Sequence, residues 1–382
     1  MNILEGSTLC RAKLHCVLLA RNDCRFYTFA LMQDYLVIGL GLAGIAFCEQ
    51  LEKHAKSYTV ISDTSQTSSL VAGGLYNPVI LKRFNLAWKA KEQLDTAIPF
   101  YTALEKKLGV QLNYPLPVYR RFASIEEQNL WFEASDKKGL SEFLSPKIHL
   151  NKNPNIAAPF GYGEVLGTGR IDTRTLVSSY TAYLSLKDRF TKETFKHSEL
   201  QIKEEYVQYK SIKARKIVFA EGFGMKQNPF FNYLPMQGSK GEYLFIKAPD
   251  LKEDKAIKSS IFCLPEGDDV YRIGANYARE DTTNAPTDSA KSELLKKWDN
   301  FIRCKYELID HVAGIRPTVN DRKPLVGQHP EHRNLYVLNG FGSRGVMTAP
   351  YASEQLYKNS SANYVQDGEL NVARFTEKYF QK

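Results

Sequence analysis

Tyr35-Leu36-Val37-Ile38-Gly39-Leu40-Gly41-Leu42-Ala43-Gly44 carries the pattern that decides the fold. Four apolar residues end at Gly39, a run of the length of one buried strand. From Leu42 to Ala55 the apolar residues Ile45, Phe47, Cys48 and Leu51 follow helical spacing, and Tyr58-Thr59-Val60-Ile61 reads as a second strand. Strand, glycine turn, helix, strand is the order of a Rossmann-type βαβ unit, which binds a dinucleotide; that context strengthens a glycine pattern that is weak alone. Gly39 permits the tight turn, Gly41 lets the backbone approach a pyrophosphate, and Gly44 lets the helix pack close to the strand. Leu42 and Ala43 complete the turn, at a helix N-terminus whose free N–H groups suit phosphate. Asp63 stands 19 residues after Gly44, where a carboxylate accepts both ribose hydroxyls. The alternative is a glycine turn with no ligand and a solvent-facing Asp63.

The chain around this unit has 382 residues, 43% of them hydrophobic and 12% aromatic, enough for a sizeable core and for two domains. No apolar run reaches the roughly 18 residues that a membrane helix needs. The net charge is +9, but lysines and arginines are mixed with acids along the chain. This reads as a solvated basic surface that also suits an anionic cofactor or substrate, ahead of a nucleic-acid face. None of the six cysteines forms a CxxC pair, so neither zinc nor a redox dithiol is indicated and no metal site is expected. Residues 1–34 show no helical or strand period and are read as an N-terminal extension. Met32 is the expected natural start, and residues 1–31 an upstream segment. Arg11, Lys13, Arg21 and Arg25 interrupt its apolar residues, which argues against a secretory signal and for a cytoplasmic location.

Further along, Leu86 to Leu108, Ile171 to Leu186 and Ser289 to Arg303 have helical character. Val118 to Phe122, Lys216 to Ala220, Tyr243 to Ile246, Ser260 to Leu264 and Val270 to Ile273 read as strands. The expected fold is α/β plus α+β, with a Rossmann-type dinucleotide-binding domain interleaved with a mainly antiparallel-sheet substrate domain. The first is assigned residues 35–114, 163–233 and 312–370, the second 115–162 and 234–311, and a C-terminal tail 371–382.

Near the C-terminus the strand Asn334 to Leu338 runs into the glycine turn Asn339-Gly340-Phe341-Gly342-Ser343-Arg344-Gly345, and a helix can follow from Val346 to Leu356. This is a second strand-turn-helix anion site; read on spacing alone, it also serves simply to cap a sheet. Upstream lies Ala313-Gly314-Ile315-Arg316-Pro317. An arginine at a strand end can hold a carboxylate through two parallel hydrogen bonds, or be an ordinary salt-bridged residue.

Taken together, these segments resemble the D-amino acid oxidase superfamily, in its glycine oxidase and sarcosine oxidase branch. The resemblance runs from about Met32 to Tyr357. It rests on the order of four blocks: GLGLAG with Asp63, SSLVAGGLYNP (Ser68 to Pro78), KIVFAEGFG (Lys216 to Gly224), and AGIRPTVNDRKPLVG with GFGSRG. It implies FAD as cofactor, with its pyrophosphate at Gly39, Gly41 and Gly44 and its adenosine ribose at Asp63. Ala72, Gly73 and Gly74 would lie on the flavin side, Gly222 near the adenosine, and Gly342, Ser343, Arg344 and Gly345 near the ring. There a helix N-terminus would stabilise the negative charge that collects on reduction. Arg316 matches the carboxylate-binding arginine. The implied chemistry is removal of a hydride from the carbon beside an amine, giving an imine, with oxygen reoxidising the flavin to hydrogen peroxide. No side-chain base is required, and the seven histidines form no catalytic pattern; His311 is expected to be structural.

Two features depart from that branch. Phe262 stands where glycine oxidases place a substrate-facing tyrosine, so the substrate pocket loses a polar contact. The GFGSRG turn is closer to the oxidase domain of the bifunctional enzymes that modify wobble uridine in transfer RNA. Three readings follow: an oxidase of amines or amino acids, a stand-alone oxidase of a modified wobble uridine in transfer RNA, and a non-catalytic or NAD-dependent dinucleotide-binding protein. The first is favoured, with a small amine or amino acid as substrate.

Overall fold

The computed structural model describes residues 32–361 and 367–380. The expected extension, with Cys10, Cys16 and Cys24, lies outside the described residues apart from its last three. Strand β1 (Gln33–Ile38) begins before Tyr35, because Gln33 already pairs with Ala214. Its apolar run is buried on both faces, as suits a central parallel strand. On one side it pairs with β2 (Tyr58–Ser62), which pairs in turn with Phe190–Lys192; on the other lies Ile212–Phe219. All of these are parallel, and Leu335–Asn339 adds a further parallel strand beyond Ile212–Phe219. The antiparallel strands Val207–Tyr209, Leu200–Ile202 and Leu325–Gln328 complete eight. Helix α1 (Leu42–Lys53) follows the first glycine turn and packs against Gly345–Ser361, which follows the second. Helix Ala90–Leu108 braces Gly345–Ser361: Tyr101 Oη donates to the Val346 carbonyl at 2.9 Å and Thr348 Oγ1 to Gln93 Oε1 at 2.9 Å.

The second sheet also has eight strands, in the spatial order Glu307–Val319, Met236–Lys247, Val270–Gly274, Phe262–Gly267, Ala256–Lys258, Val118–Arg121, Tyr162–Val165 and Leu144–His149. Every pairing is antiparallel except that of Ala256–Lys258 with Val118–Arg121. Helix Asp288–Asp299 covers one face of this sheet and sinks Leu294 and Trp298 among Leu244, Ile246 and Ile273. The mixed α/β plus antiparallel class expected from the sequence is therefore the class observed.

Several expected limits fall elsewhere. The divisions at 162/163 and 311/312 lie inside strands of the second sheet, Tyr162–Val165 and Glu307–Val319. Residues 371–380 do not form a separate tail, because Val372 is 1% exposed in the core of the first sheet. The helix expected from Leu86 starts at Ala90, since Asn85–Leu86 pairs with Val79–Ile80 and Lys89 adopts a positive φ of 45°. The helix expected to reach Arg303 ends at Asp299.

An ion cluster ties α1 to its neighbours. Lys107 and Arg189 donate to Glu52, as do the hydroxyls of Tyr58 and Tyr183. Burial alone would raise the Glu52 pKa, but these donors, Lys107 foremost, outweigh it and take it down to about 2. A depressed folded-state pKa contributes stability above the ordinary carboxylate value, and that contribution is lost as pH falls through about 2. Denaturant titrations at neutral and acid pH are expected to show wild type losing more stability on acidification than Glu52→Gln, whose acid limb is flatter.

Candidate active site

Both glycine turns open at the C-terminal ends of parallel strands, the place where α/β sheets bind ligands. They border one cavity of about 1770 Å³, above the roughly 300–1,000 Å³ of a typical small-ligand pocket. In the first turn Gly39 has φ +97°, and a Cβ there would lie 2.4 Å from the Ala220 carbonyl oxygen. A Cβ on Gly44 would lie 2.0 Å from the Gly39 carbonyl oxygen, so α1 meets β1 only because position 44 has no side chain. At Gly41 the near neighbour is Ser69 Oγ, 2.8 Å from an added Cβ. Ser69 Oγ also accepts from the Leu42 amide at 3.2 Å, and Ser62 Oγ accepts from the Leu40 amide at 3.1 Å. The amides of Gly41, Ala43 and Gly44 have no acceptor among the described residues. They remain available to an anion at the helix N-terminus.

Asp63 follows β2 on the cavity wall and accepts from the Ser65 amide at 3.0 Å and from Ser65 Oγ at 2.6 Å. Burial would raise its pKa, but the Ser65 donors hold it below the usual carboxylate range, so it is an ionised acceptor at neutral pH. Gly222, at φ +56°, lines the same region, and its carbonyl accepts from Asn339 Nδ2 at 2.8 Å. Ala72, Gly73 and Gly74 also border the cavity. Gly74 has φ +68°, and a Cβ there would collide with the Ile171 carbonyl oxygen at 1.9 Å. Arg272 Nη1 donates to the Ala72 carbonyl at 2.5 Å, and Arg272 Nε stands 2.7 Å from Glu266 Oε1.

In the second turn the Gly340 amide donates to Asn339 Oδ1, the Gly342 amide to the Pro317 carbonyl, and the Arg344 amide to the Phe341 carbonyl. The amides of Ser343, Gly345 and Val346 have no acceptor among the described residues and sit at the mouth of helix Gly345–Ser361. Ser343 is exposed, whereas the Arg344 side chain turns into the cavity wall, where burial lowers its guanidinium pKa from the usual value.

Arg316 projects from strand Glu307–Val319, the edge strand of the second sheet, into the same cavity. Its guanidinium lies flat on Gly241, where an added Cβ would be 1.8 Å from Nη2. Its Cζ also lies over the Tyr277 ring, 4.7 Å from the centroid, and Nη1 reaches the Asn276 carbonyl at 3.5 Å. No carboxylate pairs with it among the described residues, so the salt-bridged alternative does not describe it. Phe262 begins its strand on the cavity wall beside Leu264 and Tyr243. His311 lies away from this wall, its Nε2 2.9 Å from Glu242 Oε2.

The cavity is thus lined by the candidate site residues taken from the sequence except Gly44, which packs against the Gly39 carbonyl. Sequence reasoning missed Ser62, Ser69, Gly241, Tyr243, Lys258, Arg272 and Tyr277. Ser69 lay within a quoted block, but nothing in its spacing links it to Leu42. Gly241 stands as a lone glycine in a strand, which is itself a sign of a close approach.

These residues fit FAD: glycine contacts without room for a Cβ, free amides at two helix N-termini, an ionised carboxylate after β2, and one cavity joining them. The comparisons agree. Glycine oxidase of Bacillus subtilis is 23% identical over 348 residues, covering 83% of this chain and 90% of that protein. The tRNA 5-methylaminomethyl-2-thiouridine biosynthesis bifunctional protein MnmC of Legionella pneumophila (strain Corby) is 28% identical over 177 residues, 38% of this chain. That match spans only 26% of the bifunctional protein's length, and three further relatives of the same name are covered to a similar extent. Among solved structures, glycine oxidase from Geobacillus kaustophilus superposes with a TM-score of 0.75 at 17% identity, covering 88% of this chain and 96% of that one. Among the described residues no helix is long and apolar enough to cross a membrane. The family described as FAD dependent oxidoreductase, DAO, matches residues 34–358, and the chain belongs to it: it is an FAD-dependent oxidoreductase.

Proposed function

We propose that the chain oxidises an amine or amino acid at the carbon beside nitrogen, giving an imine, with oxygen as the final acceptor and hydrogen peroxide as the second product. The observation that carries this reading is Arg316, a guanidinium without a carboxylate partner among the described residues, in the cavity that the glycine turns share. Bound FAD supplies the hydride acceptor. Gly39, Gly41, Leu42, Ala43 and Gly44 would hold its pyrophosphate, Asp63 and Gly222 its adenosine end, and Ala72 to Gly74 with Gly342 to Gly345 its ring end. Arg316, in contact with Gly241 and Tyr277, would clamp the substrate carboxylate through two hydrogen bonds and so align the reacting C–H. Phe262, Leu264 and Tyr243 form the largely apolar wall that excludes water and favours a neutral amine.

Similarity to the bifunctional proteins supports a second reading, oxidation of a modified wobble uridine in transfer RNA. Arg279 and Arg322, exposed along the cavity wall, would then meet phosphate. The described cysteines, Cys48, Cys263 and Cys304, are unpaired, which supports a cytoplasmic setting. Peroxide release by FAD-loaded protein is the test, measured across amino acids, N-alkylated amino acids and simple amines. Turnover of any of them supports the first reading. Turnover confined to transfer RNA, with salt-sensitive binding, supports the second.

A further inference from the structure

We propose that Lys258 forms a second anion subsite in the substrate cavity, so that the substrate carries an acidic group at each end. This rests on the reading of Arg316 as a carboxylate ligand. Strand registry puts Arg120, Lys258, Phe262, Gly274, Tyr243 and Val312 in one row across the second sheet. Paired residues project from the same face. Arg316 stands four residues beyond Val312 and so shares that face. Lys258, Phe262, Tyr243 and Arg316 all border the cavity.

Lys258 has the environment of a cation waiting for a partner. Its ammonium lies 4.7 Å from the Phe262 ring centroid and donates to the Ser260 carbonyl at 3.1 Å. No carboxylate stands within ion-pair distance among the described residues. Burial, with Arg120 and Lys297 nearby, pulls its pKa down to about 8. Arg120 is already committed, to Glu127 at 2.5 Å and to the Ser259 carbonyl at 2.8 Å. A partly buried ammonium among cations is costly unless an anion offsets the lost hydration. The Ser260 carbonyl occupies one of its three donors, leaving the others for a ligand oxygen.

Geometry sets the length of that ligand. The strands carrying Lys258 and Arg316 are four spacings apart in the sheet, about 19 Å, and Arg316 lies four residues along its strand from the Lys258 row, about 13 Å, so their Cα atoms stand on the order of 23 Å apart. Even with both side chains turned inward, their charged tips stand on the order of 10 Å apart. A short aminodicarboxylic acid cannot bridge them, whereas an extended substrate can, with Phe262 and Tyr243 against its middle. The second acid is a carboxylate or a phosphate, since an ammonium serves either.

Calorimetric titration of the FAD-loaded protein with straight-chain monocarboxylates, α,ω-dicarboxylates and ω-phosphonocarboxylates of increasing length tests the proposal. Long diacids are expected to bind at least about tenfold tighter than monoacids of equal length, with an optimum in length. Whichever diacid series shows the larger gain identifies the second group. Lys258→Met is expected to abolish that gain and Lys258→Arg to retain it. Equal affinity of diacids and monoacids in wild type overturns the proposal, as does a gain that survives Lys258→Met. The two readings fail separately: monoacid binding indifferent to Arg316→Met contradicts the assignment of Arg316, while absence of the length-dependent gain in wild type, or its survival in Lys258→Met, contradicts that of Lys258.

Discussion

Gly44→Ala protein is expected to bind FAD at least about tenfold more weakly than wild type, a loss of about 1.4 kcal/mol in binding, and so to purify with less flavin. The added methyl would sit 2.0 Å from the Gly39 carbonyl oxygen, which is backbone and cannot swing aside. The N-terminus of α1 must therefore lift away from β1, carrying the amides of Gly41, Ala43 and Gly44 off the pyrophosphate. Gly109→Ala is the control. Gly109 also has a positive φ, +67°, but an added Cβ there meets nothing within 4 Å. That variant is expected to lose about 1–2 kcal/mol of stability from backbone strain alone and to keep its flavin. Flavin absorbance per mole of purified chain, with denaturant titration of both variants, checks the contrast.

Arg316→Met is expected to lower kcat/KM for a carboxylate-bearing amine by roughly 100-fold or more, the loss of two charge-assisted hydrogen bonds. Flavin content should stay unchanged, because Arg316 belongs to the second sheet and not to either glycine turn. For an amine without a carboxylate, the same substitution should have little effect. Steady-state kinetics on a matched pair, such as an N-alkylglycine and the corresponding alkylamine, separate these outcomes. Equal losses on both would mean that Arg316 shapes the cavity without binding the carboxylate.

The parts of the fold legible in the sequence were those whose burial leaves a simple period. Tyr35 to Ile38 is apolar throughout because parallel neighbours cover both its faces, and α1 repeats its apolar residues at helical intervals. Strand Glu307–Val319 was not legible as a strand of thirteen residues. Its cavity-facing positions hold Gly314, Arg316 and Thr318, which face ligand space in place of core. It also contains Pro317, tolerated because this strand lies at the sheet edge. Gly314 looks like a strand breaker, yet a Cβ there would meet Val71 Cγ2 at 2.5 Å, so the one-turn helix Ser68–Val71 can approach only because of it.

The site divided in the same way. Positions demanding the absence of a side chain, Gly39 and Gly44, announce themselves within a local motif. Residues acting across the fold do not: Gly241 matters because Arg316 lies on it 75 residues later, and Tyr277 because its ring lies against the same guanidinium. Lys258 was invisible for a related reason. Its meaning lies in the missing carboxylate and in the registry that puts it in one row with Phe262.

The central claim is that this cavity holds FAD and an amine together, with the C–H directed at the flavin. Anaerobic addition of amines to the FAD-loaded protein tests it most directly. The account predicts that the visible flavin band bleaches with an amine that carries a carboxylate and returns when air is admitted. A flavin band that stays unchanged across the amine panel and with transfer RNA, in protein that has demonstrably taken up FAD, would contradict it.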